Sequence, residues 1–314
     1  MSKITIETIR HSIMAALQPY ESFLLRNSSY EEAPPPCFII GSPRSGTTLI
    51  YEALLVRFTF SYFSNIADRF FYSPASATRL GNNILKKRVT GSFRSTYGQL
   101  KGWTAPSEGG RVWNRWIPQS SYLPPDHAQR LPISQIRNTV ASISKSMNAP
   151  FVNKNVMHSV HMDVLDRIFP GCYFIEIRRD PSANIRSIVR AREKNGGPKE
   201  EHNWWSVKPR DWKTYERASI EEQACAQVYC LKKDIAISAA NLPPSRFHTV
   251  DYEDFCRYPM DILTGMRKFI EKNIKCELKE NSVIPRQFSI QPSQLLAPEP
   301  EKIISDWANI HYKQ

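Results

Sequence analysis

Residues 37–56 read CFIIGSPRSGTTLIYEALLV, an apolar run, a loop of small residues and a second apolar run. The first run is short enough for a buried strand, and the apolar positions of the second recur at helical spacing. Backbone N–H groups of such a loop, and the N-terminus of the helix after it, direct partial positive charge at one point. The stretch therefore predicts an anion-binding loop with these candidate contacts: Arg44, Ser45, Gly46, Thr47 and Thr48.

The loop differs from the Walker A phosphate loop at its last positions. Walker A ends in Gly-Lys-Ser/Thr, and its lysine reaches the β- and γ-phosphates. Here Thr47 follows Gly46, and the cation of the loop is the earlier Arg44. The loop thus suits a nucleotide 5′-phosphate without a triphosphate tail. This disfavours a nucleotide or small-molecule kinase without removing that alternative.

A second junction between a strand and a helix carries another pair of candidate phosphate ligands. Residues 173–177 form a strand-like run, and the Asp-Pro pair at 180–181 suits a helix N-cap and first turn. Arg179 then stands at the strand end, and Ser187 lies on the second turn of the helix. An arginine fork and a hydroxyl that converge in this way can bind one phosphate.

Strand-like and helix-like segments alternate along the chain without hairpin signals. Strands are predicted at 37–40, 151–154, 173–177 and 247–250, and helices at 133–147, 158–169, 183–192, 215–240 and 260–273. This alternation predicts an α/β fold, a P-loop-like parallel β-sheet flanked by helices. Ligands of such sheets bind beyond the carboxyl ends of the strands, so Lys154, Arg179 and Tyr252 are expected on one rim with the loop.

The chain is predicted to comprise an N-terminal arm and linker, residues 1–36, and a single domain, residues 37–314. A helical stripe in the arm, which we expect to dock on the domain rather than on a membrane, contains Ile6, Ile9, Ile13 and Leu17. Two irregular excursions, 81–130 and 194–213, are expected to cover the substrate. Their tryptophans are expected to offer a stacking surface for an acceptor: Trp103, Trp113, Trp116, Trp204 and Trp205.

Composition limits the partners and the compartment. The 314 residues carry a net charge of +12 and are 41% hydrophobic, which indicates a substantial core and anionic partners. A basic protein that binds RNA or another polyanion on a P-loop-like fold is therefore an alternative, although it leaves the two phosphate motifs unexplained. Without a CxxC pair, a metal site is not expected. Without an 18-residue apolar run or the apolar core of a signal peptide, we expect a cytoplasmic protein with no transmembrane segment.

At its two phosphate motifs the chain resembles the sulfotransferases that use 3′-phosphoadenosine 5′-phosphosulfate (PAPS). The resemblance is to the branch with a GxPRSGTT loop, which includes the tyrosylprotein sulfotransferases and many bacterial members, and it extends over about residues 37–275. It implies transfer of a sulfuryl group from PAPS to a hydroxyl (or amine) of a carbohydrate, lipid or small metabolite, without a metal. The implied partners are the nucleotide co-substrate and the acceptor, and no nucleic acid is expected.

The resemblance also implies roles for individual residues. The loop at 41–48 would bind the 5′-phosphosulfate, and Arg179 with Ser187 would bind the 3′-phosphate. Lys154, which ends the sequence FVNK, would touch the bridging and sulfuryl oxygens. Tyr252 would line the nucleotide site.

Two assignments stay open. The tyrosylprotein enzymes place a catalytic glutamate shortly after the first helix; Asn65 stands at about that distance here, and an amide cannot accept the proton. Glu108, the only carboxylate of a long basic and aromatic stretch, is the first candidate for the general base, and His158 is the second. Each has an alternative role in the structure. Glu108 could be a solvated glutamate of a turn, and His158 could be a histidine whose hydrogen bonds are satisfied within the fold. The family's arginine that reaches the nucleotide corresponds to either Arg190 or Arg192.

Overall fold

The computed structural model describes residues 3–85, 91, 93, 100–118, 122–194, 204–274, 276–279, 282–290 and 294–311, so both predicted excursions lie partly outside the described residues. The strands are β1 (Cys37–Ile40), β2 (Val152–Lys154), β3 (Tyr173–Arg178) and β4 (Phe247–Asp251). The helices are α1 (Lys3–Arg26), α2 (Thr47–Arg57), α3 (Asn65–Arg69), α4 (Pro74–Leu85), α5 (Gly110–Trp113), α6 (Ile133–Met147), α7 (Met162–Ile168), α8 (Pro181–Lys194), α9 (Ile220–Ala239), α10 (Tyr252–Arg257), α11 (Pro259–Phe269) and α12 (Pro298–His311). Within these residues, none of the helices combines the length and apolarity needed to span a bilayer.

The four strands form one parallel sheet in the order β2-β1-β3-β4. Cys37 pairs with Val152 on one side and with Tyr173 on the other, so β1 lies in the middle of the sheet. Because all four strands run the same way, their carboxyl ends lie at one edge. The predicted P-loop-like parallel sheet flanked by helices is confirmed, and the phosphate loop follows a central strand.

Alternate residues of β1 face opposite sides of the sheet, and each side carries a buried core. Phe38 and Ile40 belong to a cluster with Trp113, whereas Cys37 and Ile39 belong to a second cluster that includes residues of α2. A strand covered on both faces is apolar at every position, which is why β1 reads as an uninterrupted apolar run.

Polar side chains decide where several elements begin. Asp180 accepts a hydrogen bond from the Ala183 N–H at 2.7 Å, so the predicted N-cap of α8 is confirmed.

The helix expected at 158–169 is divided into a 3₁₀ turn and a shorter α-helix. The side chain of Asn155 accepts from the Met157 N–H at 2.9 Å and begins a 3₁₀ turn, Val156–Val160, and α7 follows only after it.

Helix α1 packs against the domain, but two residues of the predicted stripe are not covered. Ile9 and Ile13 of the expected stripe are 44% and 43% exposed, whereas Met14 and Leu24 are buried. The carboxylate of Glu21 is also buried, because it accepts the backbone N–H groups of the first turn of α4. A helix that caps another helix in this way turns a charged residue inward, whereas Ile9 and Ile13 face outward.

Candidate active site

The phosphate loop leaves the N-terminus of α2 open. Gly46 occupies the N-cap position with φ of 92°, and no side chain caps the helix. The first N–H groups of a helix have no partner within the helix, so they bind an anion readily. Arg44 holds the left-handed conformation at φ of 65°, which is uncommon outside glycine and typical of functional turns.

The second motif lies directly against this loop. The Nε–H of Arg44 donates to the hydroxyl of Ser187 at 3.4 Å, and Arg179 donates to the backbone carbonyl of Arg44 at 2.8 Å. Asn184, on the same helix as Ser187, donates to the Pro43 carbonyl at 2.7 Å. The fold thus brings together the two predicted phosphate motifs, although they are far apart in the sequence.

Tyr252 covers the loop from the end of β4. Its ring lies so close to Gly46 that a Cβ atom there would come within 2.1 Å of the ring, and the guanidinium of Arg179 lies over the ring at 5.0 Å from its centroid. Burial raises the pKa of Tyr252 to about 12, so the phenol is neutral and can donate a hydrogen bond. Tyr252 therefore supports both motifs from one side.

Two buried polar atoms at this place have no hydrogen-bond partner among the described residues. They are the hydroxyl oxygen of Ser45 and the Nε atom of Arg179. Buried polar groups are almost always paired, and an unpaired donor is costly. An anion bound between the loop and β3 would offer the acceptor that the Arg179 Nε–H lacks.

Lys154 and Glu108 form an ion pair at the same edge of the sheet. The ammonium of Lys154, at the end of β2, contacts the carboxylate of Glu108. The Lys154 side chain is 3% exposed, whereas the Glu108 side chain is 40% exposed. Glu108 therefore lies between a buried cation and the solvent, where an acceptor hydroxyl can approach it.

A buried hydrogen-bond network holds this pair in place. The side-chain oxygen of Asn153 accepts from Trp113 Nε1 at 2.8 Å and pairs with His158 Nε2 at 2.7 Å. Its amide donates to the backbone carbonyl of Ser107 at 3.3 Å. Since Asn153 precedes Lys154 and Ser107 precedes Glu108, the network fixes the two charged residues relative to each other.

His158 lies in the core and not at the surface of the site. Its side chain is 1% exposed, and its ring packs edge-on against Phe38 and Trp113 at 5.0 Å. Burial lowers the pKa of His158 well below the ordinary value, with His161 and Lys154 acting in the same direction. A neutral, enclosed imidazole that is already paired with Asn153 cannot meet an acceptor, so we do not retain His158 as a candidate base.

Residues 35–274 match the model of the family described as Sulfotransferase family. The chain belongs to the sulfotransferase family.

This sulfotransferase is similar to the solved structure of STF1 from Mycobacterium tuberculosis H37Rv, with a TM-score of 0.56 and 13% identity over 95% of this chain and 81% of that one. It is also similar to STF9 from Mycobacterium avium, with a TM-score of 0.53 and 15% identity over 95% and 72%. At sequence identities this low, the similarity to these structures establishes the fold alone. No curated protein matches the chain.

The sulfotransferase has an open cavity of about 650 Å³ beside Glu108. Asn65 lines it and donates to the carbonyls of Leu100 and Gly102 at 2.8 and 2.7 Å. Asn65 thus shapes the wall of the cavity and accepts no proton. The cavity lies where an acceptor would reach Glu108.

The tryptophans form a smaller stacking surface than the sequence predicts. Trp103 is 54% exposed, but Trp113 and Trp116 are buried. Trp204 donates to the Val207 carbonyl at 2.9 Å, and Trp205 packs against a core cluster. The expectation was therefore wrong for Trp113 and Trp116, because they fill the core beside β1, and Trp103 is the tryptophan that lines the cavity.

The two alternative arginines of α8 have different environments. Arg192 is 3% exposed and donates to the side chain of Gln223 on α9 at 2.8 Å. Arg190 follows Ser187 by three residues, so both lie on one face of the helix, and Arg190 contacts the carbonyl of Gln294. Arg190 is therefore the one that we retain as a candidate nucleotide contact.

Sequence reasoning missed Asp68, Arg69 and Asn153. The first two line the cavity with Glu108 although about 40 residues separate them, and no local pattern marks them. The sequence does mark Asn153, because it is a polar residue next to the apolar residues of a short strand. A polar residue inside a short apolar strand is buried at a cost unless it is hydrogen-bonded, which points to a positioning role.

Substitution of Gly46 by alanine is expected to reduce both stability and nucleotide binding. The new Cβ atom would displace the Tyr252 ring, and the positive φ would cost about 1–3 kcal/mol in unfolding free energy. Urea denaturation and calorimetric titration with adenosine 3′,5′-bisphosphate measure the two effects. Gly265→Ala is the matched control, because its Cβ would meet nothing within 4 Å. Equal stability and equal affinity in the two variants would contradict the tight packing of Tyr252 on the loop.

Proposed function

We propose that the protein transfers a sulfuryl group from PAPS to a hydroxyl (or amine) of a carbohydrate, lipid or small metabolite. The observation that carries the proposal is the contact between Arg44 of the loop and Ser187 of α8, with Arg179 bonded to the same loop. Two clusters of anion ligands this close suit one nucleotide with a 5′-phosphosulfate and a 3′-phosphate. The family membership supports sulfuryl transfer independently.

The residues divide the donor between them. The open N-terminus of α2 and Arg44 bind the 5′-phosphosulfate, since both direct positive charge at the loop. Arg179 and Ser187 bind the 3′-phosphate through charge-assisted hydrogen bonds. The unpaired Nε–H of Arg179 supports this role, because a phosphate oxygen is the acceptor that it lacks.

The reaction then needs a base and a stabilised leaving group. Glu108 takes the proton of the acceptor hydroxyl, and the acceptor oxygen attacks the sulfur. The S–O bond to the 5′-phosphate breaks, and the phosphate oxygen keeps the electron pair, which releases adenosine 3′,5′-bisphosphate. Lys154 stabilises the charge that develops on the bridging and sulfuryl oxygens.

The ion pair between Lys154 and Glu108 links donor binding to the base. In the free protein the ammonium of Lys154 is held by the Glu108 carboxylate. A phosphosulfate at the loop competes for that ammonium, so the carboxylate becomes available to the acceptor. The donor is therefore expected to bind before the acceptor.

A comparison of ligands and a transfer assay test the proposed function. Adenosine 3′,5′-bisphosphate at 100 times its Kd is expected to stabilise the protein by about 2.7 kcal/mol, while ATP with Mg²⁺ stabilises it little. Labelled PAPS is expected to yield a labelled acceptor in a panel of hydroxyl compounds. The reverse ligand order would favour a kinase. Stabilisation by neither nucleotide would favour a polyanion-binding protein.

A further inference from the structure

The cavity beside Glu108 has walls fixed by the backbone. The N–H groups of Asn65 and Ile66 donate to the carbonyls of Ala105 and Trp103 at 2.9 and 2.8 Å, and the Ser107 N–H donates to Phe63 at 2.7 Å. These bonds join the start of α3 to the segment before Glu108. The cavity is therefore preformed in the free protein, which favours selection among acceptors by its lining.

Both carboxylates that line the cavity have partners in the free protein. Glu108 pairs with Lys154, and Asp68 accepts the backbone N–H of Arg111 at 2.8 Å, at the start of the short helix α5. Burial raises the pKa of Asp68, and the N–H groups of Arg111 and Val112 and the positive charge of Arg111 oppose that rise. The guanidinium of Arg111 acts on Asp68 without lying within ion-pair distance of its carboxylate.

Two guanidinium groups in the lining keep their hydrogen-bonding edges available. Arg69 stacks over the exposed ring of Trp103, with its central carbon 5.4 Å from the centroid, and Arg111 is exposed. Stacking uses the face of a guanidinium and leaves its N–H edge for a bidentate contact. Among the described residues, no carboxylate lies within ion-pair distance of either arginine.

We propose that the acceptor of this sulfotransferase is itself anionic. A carboxylate, sulfate or phosphate group of the acceptor binds Arg69 and Arg111, its flat or apolar part lies against Trp103, and its hydroxyl reaches Glu108. This inference rests on the proposed function and names the substrate class for the same site. A neutral sugar could stack on the tryptophan but would offer no charge to the two exposed guanidinium groups, so the anionic acceptor is favoured.

Calorimetric titration with two matched probes tests the inference. The probes are 4-hydroxyphenylacetate and its neutral amide, 4-hydroxyphenylacetamide, each added to protein saturated with adenosine 3′,5′-bisphosphate. The carboxylate is expected to bind about 10- to 100-fold more tightly, since charge-assisted bonds to arginine contribute on that scale. In the double variant Arg69→Gln, Arg111→Gln the ratio of the two affinities is expected to fall toward one.

Arg217→Gln is the control for loss of positive charge, because Arg217 is exposed and does not line the cavity. It is expected to keep the wild-type ratio. Equal affinities of the two probes for the wild type, no saturable binding of the carboxylate, or a ratio unchanged in the double variant would each overturn the inference.

The same proteins separate this inference from the proposed function. Transfer from PAPS to 4-hydroxyphenylacetamide as fast as to 4-hydroxyphenylacetate, at equal kcat/KM, would retain the sulfotransferase and reject the anionic acceptor. Failure to bind adenosine 3′,5′-bisphosphate would instead reject the proposed function itself.

Discussion

Replacement of Glu108 by glutamine is expected to lower kcat by about 10²- to 10⁴-fold, the usual contribution of a general base. The amide keeps the size of the side chain and an oxygen that can face the Lys154 ammonium, but it cannot take the proton of the acceptor. The affinity for adenosine 3′,5′-bisphosphate is expected to stay within a few-fold of the wild type, because this nucleotide lacks the sulfuryl group that would compete with Glu108 for Lys154. Steady-state assays with PAPS and calorimetric titration with adenosine 3′,5′-bisphosphate measure the two quantities.

A second glutamate distinguishes the loss of the base from the loss of any exposed carboxylate. Glu216→Gln, an exposed glutamate outside the candidate site, is the matched control and is expected to behave as the wild type. A Glu108→Gln variant with kcat within a few-fold of the wild type would show that the base is another group.

Replacement of Lys154 by methionine is expected to lower kcat by about 10²- to 10³-fold, the scale on which the loss of one transition-state donor acts. Methionine is similar in length to lysine and suits the buried position of residue 154. The Glu108 carboxylate that it leaves unpaired is 40% exposed and can be hydrated. The variant is therefore expected to fold, which circular dichroism and urea denaturation check. Single-turnover assays with labelled PAPS then report the chemical step.

The double variant Glu108→Gln, Lys154→Met refines this result. Since the two residues are in contact, their effects on kcat are expected to be less than additive. Lys145→Met is the control for the loss of a lysine, because Lys145 is exposed and contacts the Asn27 carbonyl. Additive effects in the double variant, or a Lys154→Met variant as active as Lys145→Met, would contradict the proposed roles of the ion pair.

The sheet and the positions of the candidate phosphate ligands could be predicted because their signals are local. β1 reads as apolar at every position since both of its faces are covered, and the cap at Asp180 follows from the side chain next to its own helix. The approach of Arg179 to the loop followed from one further rule, that parallel strands end at one edge. The roles of these ligands in binding remain predictions.

Features that depend on contacts distant in the sequence could not be predicted. The docking face of α1 is set by Glu21, which caps a helix more than 50 residues away, and this reverses the simple rule that charged residues face water. His158 is held in the core by Asn153 and two aromatic rings, which no spacing reveals. In the same way, Asp68 and Arg69 join Glu108 only through the fold of the segments that carry them.

The central claim is that Arg44 with its loop and Arg179 with Ser187 bind the two phosphates of one adenosine nucleotide. The most direct test is calorimetric titration of wild type and Arg179→Ala with adenosine 3′,5′-bisphosphate and with adenosine 5′-monophosphate, which lacks the 3′-phosphate. The wild type is expected to bind the bisphosphate about 10- to 100-fold more tightly, and Arg179→Ala is expected to lose most of this preference. Equal binding of the two nucleotides by the wild type, or an unchanged preference in Arg179→Ala, would contradict the central claim.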